Sequence, residues 1–287
     1  MLEAPPFNVS EPTGPIAPVV VDSPHSGMIW PADFAPAAPR EAILTTWDAF
    51  VDELWADAPQ SGATLLAANF PRAYVDANRA MSDIDPTLLA EPWPTPLSPT
   101  EYTTRGMGLI RRNALPDVPM YDRKLSVRDV QRRIADHYAP YRAELSARLN
   151  ATHRRFGAVW HINCHSMKSR GNAMNVDHGA TRPDLVVSDR HGTTSDPAHT
   201  AWVADWFRAR GRRVQVNEPY TGGDIVRSNG APASGRHSIQ VEINRSLYMD
   251  ESAFERGEHF AAVRAECAAF TRAFVDYARA QLAGAAS

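Results

Sequence analysis

Three observations predict a layered α/β fold for this chain of 287 residues. Short runs of β-branched and apolar residues alternate with segments of helical periodicity, the pattern of strands and covering helices in one sheet. The last such segment repeats Phe260, Val263, Cys267, Phe270, Phe274 and Tyr277 at threes and fours, so one long helix presents an apolar stripe to the sheet. His25 follows the apolar run Val19-Val20-Val21, and His165 ends the run that starts at Val159. Carboxyl ends of strands are where open α/β sheets bind their ligands.

Taken in chain order, the first strand covers about 18–23 and stops at the turn residues Ser23-Pro24-His25-Ser26-Gly27. A helix follows over about 46–58 with Val51, Leu54 and Ala58 on its buried stripe, then strands over about 64–69 and 73–77. Pro86, Pro92, Pro94, Pro96, Pro99, Pro116 and Pro119 forbid continuous regular structure beyond that point, so about 80–126 reads as one long loop or lid. A helix over about 126–155 leads into a strand over about 158–164. Alternation there sends Ile162 and Cys164 to one face and His161, Asn163 and His165 to the other. The remainder reads as a strand at about 184–188, a helix at about 197–210 stopped by Gly211, strands at about 212–217 and 238–243, and a final helix at about 250–282. Cys164 and Cys267 then face apolar layers. No repeat and no shift in composition divides the chain, so 1–287 reads as a single domain.

With 44% hydrophobic residues the chain can bury a substantial core, and a formal net charge of -3 with scattered Lys and Arg leaves no footprint for nucleic acid or an anionic membrane. Small molecules are the expected partners. Met1 to Pro18 is Pro-rich without the pattern of a secretory leader, and no run of about 20 apolar residues occurs, so the expected location is cytoplasmic. Two cysteines make neither a disulfide framework nor a Cys-x-x-Cys knuckle. Any metal must therefore use histidine and carboxylate.

His25 and His165 are each either a metal ligand or a hydrogen-bonded core histidine, and two of them at strand ends of one sheet favour the metal. A catalytic zinc commonly takes three protein ligands and keeps a position for water, so a carboxylate is expected as the third. Asp48, Asp52 and Glu53 are the candidates, each with a plain alternative as a capping or surface acid. In Ser238–Asn244 the apolar Ile239, Val241 and Ile243 alternate with polar residues. Glu242 then projects a carboxylate from a central strand, which is costly unless it acts as a general base or pairs with an arginine. Arg72 and Arg79 offer guanidinium forks to an acidic substrate or to Asp76. Gly222-Gly223, followed by Arg227, permits close backbone approach to a ligand, although most such pairs are ordinary turns.

The segments Ser23-Pro24-His25-Ser26-Gly27, Asp48 ahead of Leu54-Trp55, Arg72 with Asp76-x-Asn78-Arg79, Cys164-His165-Ser166-Met167, Asn217 with Gly222-Gly223, and His237-x-x-Gln240-x-Glu242 running into Leu247-Tyr248-Met249 carry a resemblance. Together they resemble the N-formylglutamate amidohydrolase family over nearly the whole chain. The resemblance implies a fold similar to the zinc-dependent exopeptidases, with a mixed, largely parallel sheet flanked by helices and Zn2+ at the strand ends. It implies hydrolysis of N-formyl-L-glutamate to formate and L-glutamate in histidine degradation. His25, Asp48 and His165 are the implied zinc ligands, Asp48 being preferred to Asp52 and Glu53 because the family carries an acid there. Glu242 is the implied general base, with His237 or Arg72 aiding the oxyanion. Asn78, Arg79 and Arg227, with Gly222 and Gly223, are the implied substrate contacts. Two departures stand out: exopeptidases keep the first His and its carboxylate only a few residues apart, and Asn163-Cys164 stands where many relatives place an acid. Competing readings are an amidohydrolase of another N-acyl amino acid, a carboxypeptidase-like enzyme, another divalent metal in place of zinc, and a non-catalytic binder of acidic metabolites.

Overall fold

The computed structural model describes residues 5–285, so residues 1–4 and 286–287 of the single-domain expectation lie outside the described residues. In chain order the strands are β1 (Phe7–Ser10), β2 (Val19–Ser23), β3 (Thr64–Ala68), β4 (Asn113–Leu115), β5 (Val118–Pro119), β6 (Val159–Met167), β7 (Leu185–Ser188), β8 (Val214–Val216), β9 (Arg236–Asn244), β10 (Met249–Asp250) and β11 (Glu255–Arg256). Seven of them form one mixed sheet in the order β1-β3-β2-β6-β9-β7-β8, while β4–β5 and β10–β11 are separate small sheets. β3, β2, β6 and β9 run parallel. β1 is antiparallel to β3, and β7 is antiparallel to β9. The layered α/β fold is the one the sequence predicts, and the mixed, mostly parallel sheet flanked by helices is the architecture the resemblance implies.

Side-chain alternation divides the core into two layers. Val19, Val21, Ile162, Cys164 and Val241 pack with the helix Phe260–Ala285 on one face, and Val20 and Leu66 pack with Tyr141, Leu145 and Leu149 of the helix Ala139–Phe156 on the other. In the carboxy-terminal helix Val263, Cys267, Phe270 and Phe274 are buried and Phe260 and Tyr277 flank them, as the periodic stripe predicts. Among the described residues no helix is long and apolar enough to cross a membrane.

Several elements differ from the sequence reading, each for a local reason. The final helix begins at Phe260 because the Asp250 carboxylate accepts the amides of Ser252 and Ala253 and turns the chain into the β10–β11 pair. The expected helix at 46–58 contracts to Val51–Leu54, with left-handed Phe50 before it and Pro59 in the 3-10 turn Ala58–Ser61 behind it. Residues 73–77 form no strand: the amide of Tyr74 bonds to Pro71 O and that of Asp76 to Leu109 O. Their apolar character comes from burial in the second core. The helix expected at 126–155 contains a π turn, Ile134–Tyr138, just before Pro140, whose missing amide removes one ladder bond. The Pro-rich stretch holds only Pro86–Leu88, Glu101–Thr104 and β4–β5. Asp83 fastens it by accepting from the amide and hydroxyl of Thr100 at 2.7 and 2.9 Å and from the Thr103 hydroxyl.

β2 lies between β3 and β6, so the sheet grows in one direction after β2 and returns in the other at β6. A crevice outside the carboxyl ends of strands at such a switch point is the usual ligand site of open α/β sheets. His237 is at the other end. β9 pairs His237 with Trp160 and Glu242 with His165, a separation of roughly 16 Å at the rise of a strand. The His237 ring accepts the Asp196 amide at 3.2 Å, stacks on Trp160 and meets His199 edge-on. It therefore has no place at the oxyanion, correcting the expectation for that residue.

Burial first, and His199 second, lower the His237 pKa from 6.5 to about 4. The fold favours the neutral ring, so its stabilisation is complete above the unfolded value and is lost as pH falls from 6.5 toward about 4. His237→Asn is expected to show a shallower decline of the urea midpoint across that interval than the parent protein. Parallel declines in the two proteins would contradict this.

Candidate metal centre

Three segments deliver the candidate ligands. His25 sits in the turn after β2, Asp48 between the helices Arg40–Leu44 and Val51–Leu54, and His165 in β6. The Asp48 amide donates to His25 O at 3.2 Å, tying the second segment to the first. All three side chains are buried, and one ligand atom from each lies within 4.8 Å of the others. Asp52 and Glu53 stay outside this cluster. Glu53 pairs with Arg256 at 2.6 Å, while burial first and Glu53 second push the Asp52 carboxyl up to about 6.

A hydrogen bond at the far side of the His25 ring assigns its tautomer. His25 Nε2 lies 2.7 Å from Asp76 Oδ1, and Asp76 is held well below the usual carboxylate range because Arg72, then His25, outweigh its burial. Nε2 is therefore the protonated donor. Asn163 donates Nδ2 to Asp22 at 2.7 Å, which turns its Oδ1 toward His165 Nε2 at 2.8 Å, and Asn78 Nδ2 lies 3.1 Å from the same nitrogen, so His165 Nε2 faces one acceptor and one donor. In the neutral His25 ring Nδ1 is consequently bare. The Nδ1 atoms of both rings face one oxygen, Asp48 Oδ2, at 3.3 Å from His25 and 3.0 Å from His165. Two imidazole nitrogens and a carboxylate oxygen converge on a space that a cation or a proton must satisfy.

Asp48 is held by its other oxygen. Arg245 Nη2 donates to Oδ1 at 3.0 Å and Arg72 Nη1 reaches it at 3.5 Å. Arg245 is itself fixed by Ser166 Oγ at 3.1 Å and Thr45 O at 3.0 Å. Burial opposes the charge of Asp48, but His165, His25 and then Arg72 hold its carboxyl well below the usual range. Burial and Arg72 lower the pKa of His25, whereas Asp48 and Glu242 raise that of His165 against its burial. Behind the site Asp22 accepts from Asn163, from His161 Nε2 at 2.9 Å and from Tyr141 Oη at 2.7 Å. A satisfied polar band thus crosses the face of β2 and β6 that carries the histidine.

Glu242 stands opposite His165 in the β6–β9 register and lines the same pocket. Its Oε1 accepts from Gln240 Nε2 at 2.9 Å. Among the described residues no arginine forms an ion pair with it, which removes the structural alternative for this carboxylate. Burial raises its pKa, ahead of the opposing His165 charge.

Arg72, Asn78, Arg79, Gly222 and Gly223 also line the pocket. Arg72 pairs with Asp76 at 2.7 Å, and the Asn78 carboxamide accepts the amide of Ile225 at 2.8 Å while its Nδ2 lies 3.1 Å from His165 Nε2 and 3.4 Å from Gln240 Oε1. A Cβ on Gly223 would fall 2.4 Å from the Asn78 side chain, so this glycine serves packing against Asn78. Arg227 lies elsewhere: its guanidinium is half-exposed, bonds to Asp224 and is absent from the pocket lining. Sequence reasoning missed Arg245, Arg111 and Lys168, all of which line the pocket. The one available signal was position, Arg245 and Lys168 standing just beyond the carboxyl ends of the two site strands.

The model of the family described as N-formylglutamate amidohydrolase matches residues 17–249. A solved N-formylglutamate amidohydrolase from Ralstonia eutropha JMP134 is 42% identical, covers 97% of this chain and 100% of its own, and superposes with a TM-score of 0.91. The N-formylglutamate deformylase of Pseudomonas aeruginosa is 29% identical over 264 residues, 90% of each chain. That of Pseudomonas putida is 24% identical over 241 residues, 82% of this chain and 83% of its own.

If Asp76 orients His25 toward a metal, Asp76→Asn is expected to weaken zinc binding by about tenfold to a hundredfold in competition with a chromogenic chelator. An unchanged affinity would remove Asp76 from the centre.

Proposed function

The chain belongs to the N-formylglutamate amidohydrolase family, and on that premise we propose that it is a zinc-dependent enzyme that cleaves the N-formyl amide of N-formyl-L-glutamate to formate and L-glutamate. The observation that carries the reading is the convergence of two imidazole Nδ1 atoms on Asp48 Oδ2, with Glu242 across the β6–β9 register from His165. Histidine and carboxylate donors in this number suit a catalytic zinc, and the buried anion Asp48 supplies charge to hold it. Zinc bound by His25, Asp48 and His165 would lower the pKa of a water and polarise the formyl carbonyl.

The remaining work falls to side chains of the chain. Gln240 occupies Glu242 Oε1, which leaves Oε2 to take the proton of the attacking water. The raised pKa of Glu242 suits passage of that proton to the departing nitrogen as the C–N bond breaks. With His237 at the far end of the sheet, Arg72, which lines the pocket, takes in this reading the role of donor toward the oxygen that gains charge. Among the described residues Arg79 donates only to the carbonyl oxygens of Met107 and Asn78, so its charge is available to a substrate carboxylate. Asn78 and Gly223 shape the wall beside it.

Glu242→Gln is expected to retain zinc while formate release from N-formyl-L-glutamate falls by about 10²- to 10⁴-fold. Full turnover in a zinc-replete variant would refute the role of Glu242. A parent enzyme that releases acetate from N-acetyl-L-glutamate as readily as formate would replace the deformylase with a broader amidohydrolase.

A further inference from the structure

The pocket at the metal triad is lined by six cationic side chains, Arg72, Arg79, Arg111, Lys168, Arg182 and Arg245, and the acids among its lining residues are Asp48 and Glu242. Three of the cations are answered by carboxylates: Arg72 by Asp76 at 2.7 Å, Arg182 by Asp177 at 2.7 Å and Arg245 by Asp48 at 3.0 Å. The other three have no carboxylate partner among the described residues. Arg79 makes do with two carbonyl oxygens and the face of Tyr102 at 3.9 Å.

Arg111 is the most demanding of them. It is 7% exposed, its Nε has no hydrogen-bond partner, and it makes no ion pair among the described residues. A buried guanidinium without an anion destabilises a fold, and natural structures seldom retain one unless a ligand completes it. Burial and then Arg72 press its pKa down to about 9, which leaves it charged at neutral pH. Lys168 shares the pocket, and burial, Arg245 and Arg111 in that order press its pKa to about 7. The two cations thus repel, and among the described residues neither has a carboxylate within ion-pair distance. Neither belongs to the metal triad.

We propose that Arg111, with Lys168 beside it, is the specificity-determining site for one carboxylate of the substrate while Arg79 takes the other, so that the pocket selects N-acyl amino acids bearing two carboxylates. The inference rests on the proposed reaction only for the amide that is cleaved. A bidentate guanidinium is suited to a planar carboxylate, and a diacid brings the charge that these unanswered cations lack.

Glutarate, a diacid with no amide to cleave, is the binding probe. By isothermal titration calorimetry the zinc-loaded parent is expected to bind it, and Arg111→Met to bind it about a hundredfold more weakly. The melting temperature of Arg111→Met should equal or exceed that of the parent, because an unpaired buried charge is gone. A lower melting temperature would mark Arg111 as a structural residue and overturn the proposal. In turnover, the parent should prefer N-formyl-L-glutamate over both of its monoamides, N-formyl-L-glutamine and N-formyl-L-isoglutamine. Arg111→Met should lose one of these preferences in kcat/KM and keep the other. Unchanged glutarate affinity, or both preferences intact in the variant, refutes the anion site. Arg111-dependent glutarate binding by a parent that releases no formate would leave the anion site standing and sink the deformylation.

Discussion

A carboxylate withdrawn from water must be compensated by donors or cations, and in this protein the compensation of Asp48 decides the geometry of everything around it. Arg245 and Arg72 claim Oδ1, the Ser166 amide lies 3.4 Å from Oδ2, and the two imidazole Nδ1 atoms face the same Oδ2. The arginines supply positive charge without competing for the oxygen that faces the histidines. The division of labour between the two oxygens lets one acid be both a buried ion-pair partner and a candidate metal ligand. Removing Arg245 would release Asp48, Ser166 and the loop at Thr45 together, since one guanidinium bonds to all three.

The sheet explains why these groups meet. Parallel β2, β6 and β9 end on the same side, and the reversal of strand order between β2 and β6 opens a crevice there. The face of the sheet toward that crevice is unusually polar for a central parallel sheet, carrying Asp22, His161, Asn163, His165, Gln240 and Glu242. Each is tied to a neighbour, from the Tyr141 hydroxyl on Asp22 to the Gln240 amide on Glu242. Such a network fixes rotamers before any ligand arrives, the condition for a site whose chemistry depends on direction. The opposite face is apolar, with Phe270 and Phe274 of the last helix in one buried cluster with Cys164 and Val241.

Periodicity made most of this legible. The alternation in β6 separated His165 from Cys164, and the stripe of the last helix foretold its buried face, because both patterns follow from backbone geometry alone. The family resemblance, rather than periodicity, pointed to His25, Asp48, His165 and Glu242, and the fold brings His25, Asp48 and His165 together in one buried cluster. Tertiary effects defeated the rest. Residues 73–77 look like a strand because they are buried, yet their amides bond to a turn and to the Pro-rich segment. His237 and Glu242 share one strand and one motif, and only the direction of β9 shows that they lie at opposite ends. Arg227 was drawn in by its neighbours Gly222-Gly223 but turns outward to Asp224. Arg111 sits in an irregular segment where no periodicity indicates direction, so its burial without an anion became visible only in the folded chain.

The central claim is that His25, Asp48 and His165 form the metal site, and zinc K-edge X-ray absorption on the protein loaded with one equivalent of zinc tests it most directly. Two imidazole nitrogens accompanied by oxygen ligands, at about 2.0–2.1 Å, are the expected result, with one imidazole lost in His165→Ala. A spectrum containing sulfur, or one without histidine scattering, would contradict it.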